Sequence, residues 1–508
     1  MTKKQIDQLF DEILRARTRV YRAGQPTPLQ EIISNGDYRI LIKREDLGPI
    51  NAYKWRGGYN AVAVHHERTG CDTVVAASAG NHAQGVALAA KKLGIDAKIF
   101  MPLSAPMMKQ QSVKRHGGDH VEIILIGDTY NEAADAAKSL AEEKNLTYIH
   151  PFDDIYTMAG QATIADEIML SGEIPDIVFL QIGGGGMAGA VSCWLKKHYP
   201  DIKIIGVEGI DQASMQASIK AGKPVTLDKV DTFCDGTAVT RPGDLTFQVC
   251  RENIDEFITV TNEEVAAGIQ RMWESSRVIP EPSGAMGLAG LIQYAENHPE
   301  AVKGQTLLCV CCGANMDFGK LASIAQKSAI GAHHRRYLRF HLSEKSGSML
   351  DLLDQYFKDI SVSEFLYGKV SEDDAWPVIA LEAEPQKMDA LDVALKKADV
   401  AFEDVTMDAD TRYRIINYNP ALFKNPLLMH IQFPERKGAL RDFMRKVSET
   451  ANVCYFNYAY SGEAIGRSLM GFEFKDEAAR DAFLDTVKDT PVTCHPVDPA
   501  TAKRILQC

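Results

Sequence analysis

The run Asp176-Ile177-Val178-Phe179-Leu180-Gln181-Ile182-Gly183-Gly184-Gly185-Gly186-Met187 decides the fold. Its first part is a β-branched, apolar stretch of strand length. Four glycines end it, a helical pattern continues through Lys197, and a second apolar stretch, Ile202-Lys203-Ile204-Ile205-Gly206-Val207, follows. Strand, helix and strand at this spacing make the crossover unit of a parallel sheet. The unit recurs upstream. Thr73-Val74-Val75-Ala76-Ala77-Ser78 reads as a strand, a helix runs from about Asn81 to Leu93 and stops at Gly94, and Ala97-Lys98-Ile99-Phe100-Met101 reads as the next strand. From about residue 37 to residue 330 the chain is therefore α/β with parallel sheets. Ligands of such sheets bind at the carboxyl ends of strands, where the glycine run and the Ser78 loop both fall.

The glycine run has a chemical reading. Consecutive glycines between a strand and a helix expose backbone N–H groups at a helix N-terminus, where an anion can approach without interference from Cβ atoms. Charge-assisted hydrogen bonds contribute roughly 1.5–3 kcal/mol each, so about three or four such donors hold a phosphate dianion without a lysine or arginine. A plain tight turn rarely requires more than one or two glycines. The loop is neither G-x-G-x-x-G nor G-x-x-x-x-G-K-[ST], which removes the main support for a dinucleotide or a nucleoside triphosphate. Another phosphorylated cofactor remains. In Asn51-Ala52-Tyr53-Lys54-Trp55-Arg56-Gly57-Gly58, a lysine bracketed by aromatic and small residues would be desolvated, with a lowered pKa and an amine nucleophilic toward an aldehyde. Most lysines are solvated surface groups, and position alone leaves Lys54 in that class.

Composition narrows the classes. At 508 residues the soft expectation is two to four domains. With 45% hydrophobic and 24% charged residues and no long uninterrupted apolar stretch, the chain reads as a soluble globular protein. Its first residues, Met1-Thr2-Lys3-Lys4-Gln5-Ile6-Asp7, turn acidic and amphipathic and do not resemble a secretory signal, so a cytoplasmic location is expected. A formal net charge of −12 repels phosphate backbones and anionic membranes, making nucleic acid and membrane surfaces poor partners. The ten cysteines are scattered except for Cys309, Cys311 and Cys312, which either bind a metal or are buried strand residues.

Beyond residue 330 the text changes, and His333-His334-Arg335-Arg336 reads as a linker. An internal repeat follows. Leu342-Ser343-Glu344-Lys345-Ser346-Gly347-Ser348 matches Phe433-Pro434-Glu435-Arg436-Lys437-Gly438-Ala439 at an offset of 91. Val362, Phe365 and Tyr367 match Val453, Phe456 and Tyr458 at the same offset of 91, so separated motifs agree without a gap. Each copy reads as an α+β unit of about 80 to 90 residues.

The Lys54 segment, the segment Ser78-Ala79-Gly80-Asn81-His82-Ala83-Gln84-Gly85 and the tetraglycine loop resemble, in this order, the fold-type II pyridoxal-phosphate enzymes, and the second segment is most similar to threonine and serine dehydratases. Val20-Tyr21 with Thr27-Pro28-Leu29, Glu281-Pro282-Ser283-Gly284-Ala285 and Gly313-Ala314-Asn315-Met316 are similar to further motifs of that family. The repeats resemble the ACT-like regulatory pair of biosynthetic threonine dehydratases. The resemblance implies a catalytic domain over 1–330, regulatory modules over 337–410 and 425–508, and pyridoxal 5'-phosphate as cofactor.

It implies roles as well. Lys54 would bind the cofactor aldehyde covalently and, once released, remove the substrate α-proton. Tyr53 would pack beside the cofactor and Asn81 would hydrogen-bond its phenolic oxygen. Gly183, Gly184, Gly185, Gly186 and Met187 would wrap its phosphate, and Cys312 would lie beside the pyridine nitrogen. Ser78, Ala79, Gly80, Asn81 and His82 would receive the substrate carboxylate. The cofactor phosphate is the candidate acid for the departing β-hydroxyl. The implied reaction takes L-threonine to 2-oxobutanoate and ammonia, feedback-regulated by isoleucine or valine, in a homotetramer. Serine or another β-hydroxy amino acid is the alternative substrate, and a catalytically inactive amino-acid sensor is the alternative class.

Departures from the family pattern matter. Cys312 stands where threonine dehydratases have serine, and a thiol is a weak hydrogen-bond partner. Asn51, Trp55 and Gly58 differ from the familiar lysine motif. Related racemases have serine where this chain has Ala79, so racemisation is not expected. Glu208 follows a strand as in cation-binding relatives, but Gln212 and Ser214 offer too little carboxylate oxygen for an octahedral cation, and no metal is expected. His82 is either a general base or a residue that acts through its backbone. Glu281 either influences the ring or substrate or is a structural carboxylate. The loops Glu344 to Ser348 and Glu435 to Ala439 are effector loops or structural turns.

Overall fold

Apolar runs without polar alternation become strands covered on both faces. The computed structural model describes residues 3–34, 36–434, 438–459, 465–488, 490 and 492–506, which form two compact units, Met1–Gly331 and Ala332–Cys508. In the first unit the strands are β1 (Leu29–Ile32), β2 (Arg39–Arg44), β3 (Thr73–Ala77), β4 (Asp96–Met101), β5 (Val121–Leu125), β6 (Thr147–Tyr148), β7 (Ile177–Gln181), β8 (Lys203–Gly209), β9 (Glu256–Val260) and β10 (Thr306–Cys311). They build a six-stranded sheet of order β1-β2-β10-β7-β8-β9 and a four-stranded sheet of order β5-β4-β3-β6. Every pairing is parallel except β1 with β2.

The period of two along these strands sorts side chains between two cores. Val178, Leu180, Leu308 and Val310 enter one core, while Ile177, Phe179, Leu307 and Cys309 enter the other. Cys311 lies with Cys309, but Cys312 falls in the opposite core. The three thiols therefore cannot converge, and among the described residues no group of three or more His, Cys, Asp or Glu side chains could hold a metal. The expected helix runs Asn81–Leu93 and ends on Gly94 at φ 70°, a left-handed cap that favours glycine.

The second unit contains β11 (Arg335–Phe340), β12 (Leu342–Ser343), β13 (Ser361–Gly368), β14 (Asp374–Ala375), β15 (Val378–Glu382), β16 (Phe402–Asp404), β17 (Leu427–Pro434), β18 (Asn452–Ala459), β19 (Ile465–Glu473) and β20 (Thr493–Pro496). The stretch read as a linker is a correction, because Arg335 and Arg336 open β11. Arg335 is buried and bridges Glu382, so its charge is satisfied inside the unit.

An eight-stranded antiparallel sheet of order β16-β11-β15-β13-β18-β19-β17-β20 joins both repeats. At its centre β13 pairs with β18 through Phe365↔Tyr458, Leu366↔Asn457 and Tyr367↔Phe456. Leu366 and Asn457 are equivalent at the repeat offset of 91, so the copies meet about a local two-fold. Register shifts between Val362 and Glu364 and between Val453 and Tyr455 sit at equivalent places. Gly347 at φ 95° and Gly438 at φ 79° each precede a helix, Ser348–Tyr356 and Ala439–Val447. Glu435, Arg436 and Lys437 of the second loop lie outside the described residues.

Candidate active site

Lys54 opens the helix Lys54–Thr69, just after Tyr53. The entry to this helix is stapled to the end of β10: Tyr53 N donates to Cys312 O at 2.9 Å, and Ala314 N donates to Asn51 O at 2.9 Å. Two residues on, Arg56 anchors the same helix in the protein. Its guanidinium donates to Glu45 at 2.7 and 2.9 Å and to Glu167 at 2.5 and 2.9 Å, while Lys43 pairs with Glu167 at 2.6 Å. Two cations and two carboxylates are buried together, and each polar atom gains from the others being fixed.

Lys54 has no such partner. Its Nζ donates to Pro151 O at 3.3 Å and lies 5.4 Å from the Tyr53 ring centre. The side chain keeps some exposed surface, yet the amine is enclosed. Burial lowers its pKa to about 8, against the opposing pull of Cys312 and Glu281. An amine poised near neutrality is the nucleophile that covalent capture of an aldehyde needs.

The helix Asn81–Leu93 lies directly against the Lys54 helix. A Cβ on Gly85 would fall 2.8 Å from Lys54 O, so the backbones meet only because glycine is there. This contact brings the half-buried loop Ser78, Ala79, Gly80 and Asn81 beside the lysine. Ser78 Oγ accepts from Gly80 N at 3.1 Å, and the first N–H groups of the helix face outward from its N-terminus, a site suited to a carboxylate.

His82 is buried, and burial lowers its pKa to about 3, with Lys54 adding in the same direction. The neutral ring donates through Nε2 to Ile149 O at 3.0 Å, tying the Ser78 loop to the segment that carries Pro151. A base with so low a pKa contributes little at neutral pH, so the ring acts as a tie.

Gly183 to Gly186 connect β7 to the helix Gly186–His198, with Gly185 at φ 90°. Their carbonyls are held from behind: Thr246 Oγ1 donates to Gly184 O at 2.6 Å, and Gly189 N to Gly185 O at 2.8 Å. Among the described residues none accepts a hydrogen bond from the N–H groups of Gly183 to Met187. Buried donors without acceptors cost free energy, and an anionic group satisfies several at once. The residues present therefore fit a phosphate.

Phe152 closes the other side. A Cβ on Gly184 would strike its ring at 2.3 Å, and one on Gly186 its backbone at 2.9 Å.

The segment Ile149 to Asp153 was not singled out from the sequence, yet it organises the site. Ile149 accepts from His82, Pro151 accepts from Lys54, and Phe152 packs on the glycines. Asp153 caps the helix Asp244–Asn253 by accepting from Asp244, Leu245 and Thr246 N at 3.0, 2.9 and 3.1 Å. The run His150-Pro151-Phe152-Asp153-Asp154, a proline turn followed by a capping acid, is the signal that could have drawn attention to it.

Cys312 directly follows β10, its Sγ donating to Ser283 O at 3.5 Å; burial, reinforced by Glu281, pushes the thiol up so that it stays protonated. Glu281 precedes the helix Pro282–Asn297 and accepts from Asn81 Nδ2 at 2.8 Å. Burial raises its pKa to about 7, with Asp235 adding to the effect. Glu208 accepts from Met215 N and Gln216 N at 2.9 and 2.7 Å, so its carboxylate caps the helix Ser214–Ala221.

Comparison with known proteins gives the family. A family described as pyridoxal-phosphate dependent enzyme matches residues 20–313, and one described as the C-terminal regulatory domain of threonine dehydratase matches residues 421–505. The chain is 37% identical over 476 residues to L-threonine dehydratase biosynthetic IlvA of Pasteurella multocida, covering 92% of this chain and 91% of that one. It is 34% identical over 494 residues to its namesake in Escherichia coli, covering 95% of each. Among solved structures, threonine deaminase isoform 2 from Solanum lycopersicum superposes with a TM-score of 0.60 at 38% identity, over 64% of this chain and 89% of that chain. Maize serine racemase superposes with a TM-score of 0.58 at 31% identity, over 64% and 98%. The chain belongs to the pyridoxal-phosphate dependent enzymes and, within them, to the biosynthetic threonine dehydratase family. The expected fold class, cofactor and regulatory resemblance are borne out.

Proposed function

We propose that this chain converts L-threonine to 2-oxobutanoate and ammonia, the α-proton and β-hydroxyl leaving as water that the released enamine regains on hydrolysis. The observation that carries the reading is the enclosed Lys54 amine, whose pKa is lowered to about 8, in a site that also holds a loop of unsatisfied N–H groups. Lys54 holds the cofactor and, when released, takes the α-proton. Gly183 to Gly186 and Met187 hold the phosphate, Tyr53 packs beside the ring, Asn81 donates to its phenolic oxygen, and Cys312 lies at the pyridine nitrogen. Ser78 to His82 bind the substrate carboxylate. When bound, pyridoxal phosphate supplies the electron sink for the electrons left by the departing proton. Ala79 offers no hydroxyl on the Ser78 loop, which supports elimination over racemisation.

The second unit serves as a regulatory pair, with modules over 337–410 and 425–508. A cavity within it is lined by Leu342, Glu344, Met349, Met444, Asn452 and Val453. Glu344 accepts from Asn452 Nδ2 at 3.0 Å and from Tyr367, and burial raises its pKa. A carboxylate among apolar side chains suits the ammonium and aliphatic side chain of isoleucine, which must bind the less active conformation more tightly in order to inhibit. A cytoplasmic homotetramer rests on the family alone. No helix among the described residues is long and apolar enough to cross a membrane.

The test is a keto-acid assay over threonine, serine and other β-hydroxy amino acids, with and without isoleucine or valine. Threonine turnover suppressed by isoleucine is expected. Turnover of serine alone, or of none, overturns the reading.

A further inference from the structure

Asn81 is one link in a chain of hydrogen bonds whose direction is fixed at both ends. Ile50 O accepts from Asn315 Nδ2 at 2.7 Å, and the same Nδ2 donates to Asn81 Oδ1 at 2.8 Å. A backbone carbonyl can only accept, so Asn315 presents its NH2 group to both neighbours. Asn81 must then turn its oxygen toward Asn315, and its own Nδ2 donates to Glu281 Oε1 at 2.8 Å. One N–H of Asn81 remains, and it is the group assigned above to the ring oxygen. A side-chain amide rotated by half a turn would offer that oxygen a carbonyl instead, and the contact would become repulsive.

Glu281 is built into place. Its N donates to Gly313 O at 3.0 Å, and a Cβ on Gly313 would lie 2.6 Å from Glu281 Oε1, so the carboxylate rests on bare backbone. The side chain is 5% exposed and has no ion-pair partner among the described residues. A buried carboxylate without a cation costs stability and calls for a compensating task.

We propose that Glu281 is a positioning residue, whose carboxylate locks the Asn81 amide with an N–H toward the cofactor ring oxygen. This deepens the Asn81 assignment made above and rests on it. The groups facing Glu281 are Asn81, the backbone of Asn315, Asp235 and Lys109, which pair at 2.7 Å, and on the site side Lys54, Tyr53 and Cys312. With burial first and Asp235 next, its pKa stands at about 7. Above that pH the carboxylate only accepts and resists a flipped Asn81. Below it a carboxyl proton can be donated to the flipped amide oxygen, and half of the lock is lost.

The experiment measures pyridoxal phosphate affinity and the visible band of the full-length protein from pH 6 to 9 for the wild type, Glu281→Gln, Asn315→Asp and Asn81→Ala. The wild type should bind more weakly as pH falls through about 7. Glu281→Gln, whose amide can present either atom, should bind roughly tenfold more weakly at high pH, and it should lose the inflection near 7 while keeping the change through about 8 that the Lys54 amine imposes. Asn315→Asp keeps the shape but loses the donor. It should weaken binding at least as much, and it tests the same lock if Glu281→Gln fails to fold. Wild-type affinity with an unchanged inflection in Glu281→Gln, alongside weak binding in Asn81→Ala, overturns the proposal. Wild-type behaviour in Asn81→Ala removes the assignment beneath it.

Discussion

Lys54 and Arg56 stand two residues apart on one helix, both enclosed by protein, and burial acts on them with opposite results. Arg56 finds Glu45 and Glu167 on the inner side of the helix, and those carboxylates raise its pKa in spite of desolvation. Lys54 has one carbonyl for company, and desolvation wins. The difference lies in what each side of the helix offers. The paired side is a fixed anchor, and the unpaired side is held ready for a group that the protein does not itself contain. The glycine loop follows the second pattern, with buried donors left for a guest.

The comparison can be broken first at the reactive side. Lys54→Ala should lower turnover by at least about a thousandfold and abolish the visible band, because both covalent capture and proton removal reside in that amine. Retained turnover measured with purified protein would deny the contrast any meaning. Arg56→Met breaks the anchored side, leaving two buried carboxylates to share Lys43. A loss of about 3–5 kcal/mol is expected in urea unfolding. A variant as stable as the wild type would mean that the network contributes no anchoring.

Gly184→Ala drives a methyl group into the Phe152 ring, and the strain of overpacking, about 1–3 kcal/mol, should appear as weaker cofactor binding with the substrate profile unchanged. The smallest effect sharpens the comparison. Capture of added pyridoxal phosphate by protein stripped of it requires the neutral amine, so its rate should rise with pH through about 8, the lowered value of Lys54. An inflection near the ordinary lysine range, about 10.4, would place the amine in water.

How much of this was legible in the sequence follows from distance along the chain. The glycine run, the helix that stops at Gly94 and the repeat offset are local or periodic signals, and each was readable. The partners that make the site work are remote. Lys54 meets Pro151 97 positions away, and Asn81 meets Glu281 200 positions away; no local pattern encodes either pairing. The anchor was missed for the same reason, since Arg56 reaches Glu167 across 111 positions. Arg335 and Arg336 were hidden differently: a run of charge reads as a solvated linker unless the partner of the buried Arg335, Glu382 on β15, is already known.

The most direct measurement is chemical. The full-length protein carrying its cofactor is reduced with borohydride, digested and mapped by mass spectrometry. The account predicts a pyridoxyl phosphate adduct on the peptide containing Lys54 and on no other lysine. An adduct on a different lysine, or a cofactor that washes away unreduced, would contradict it.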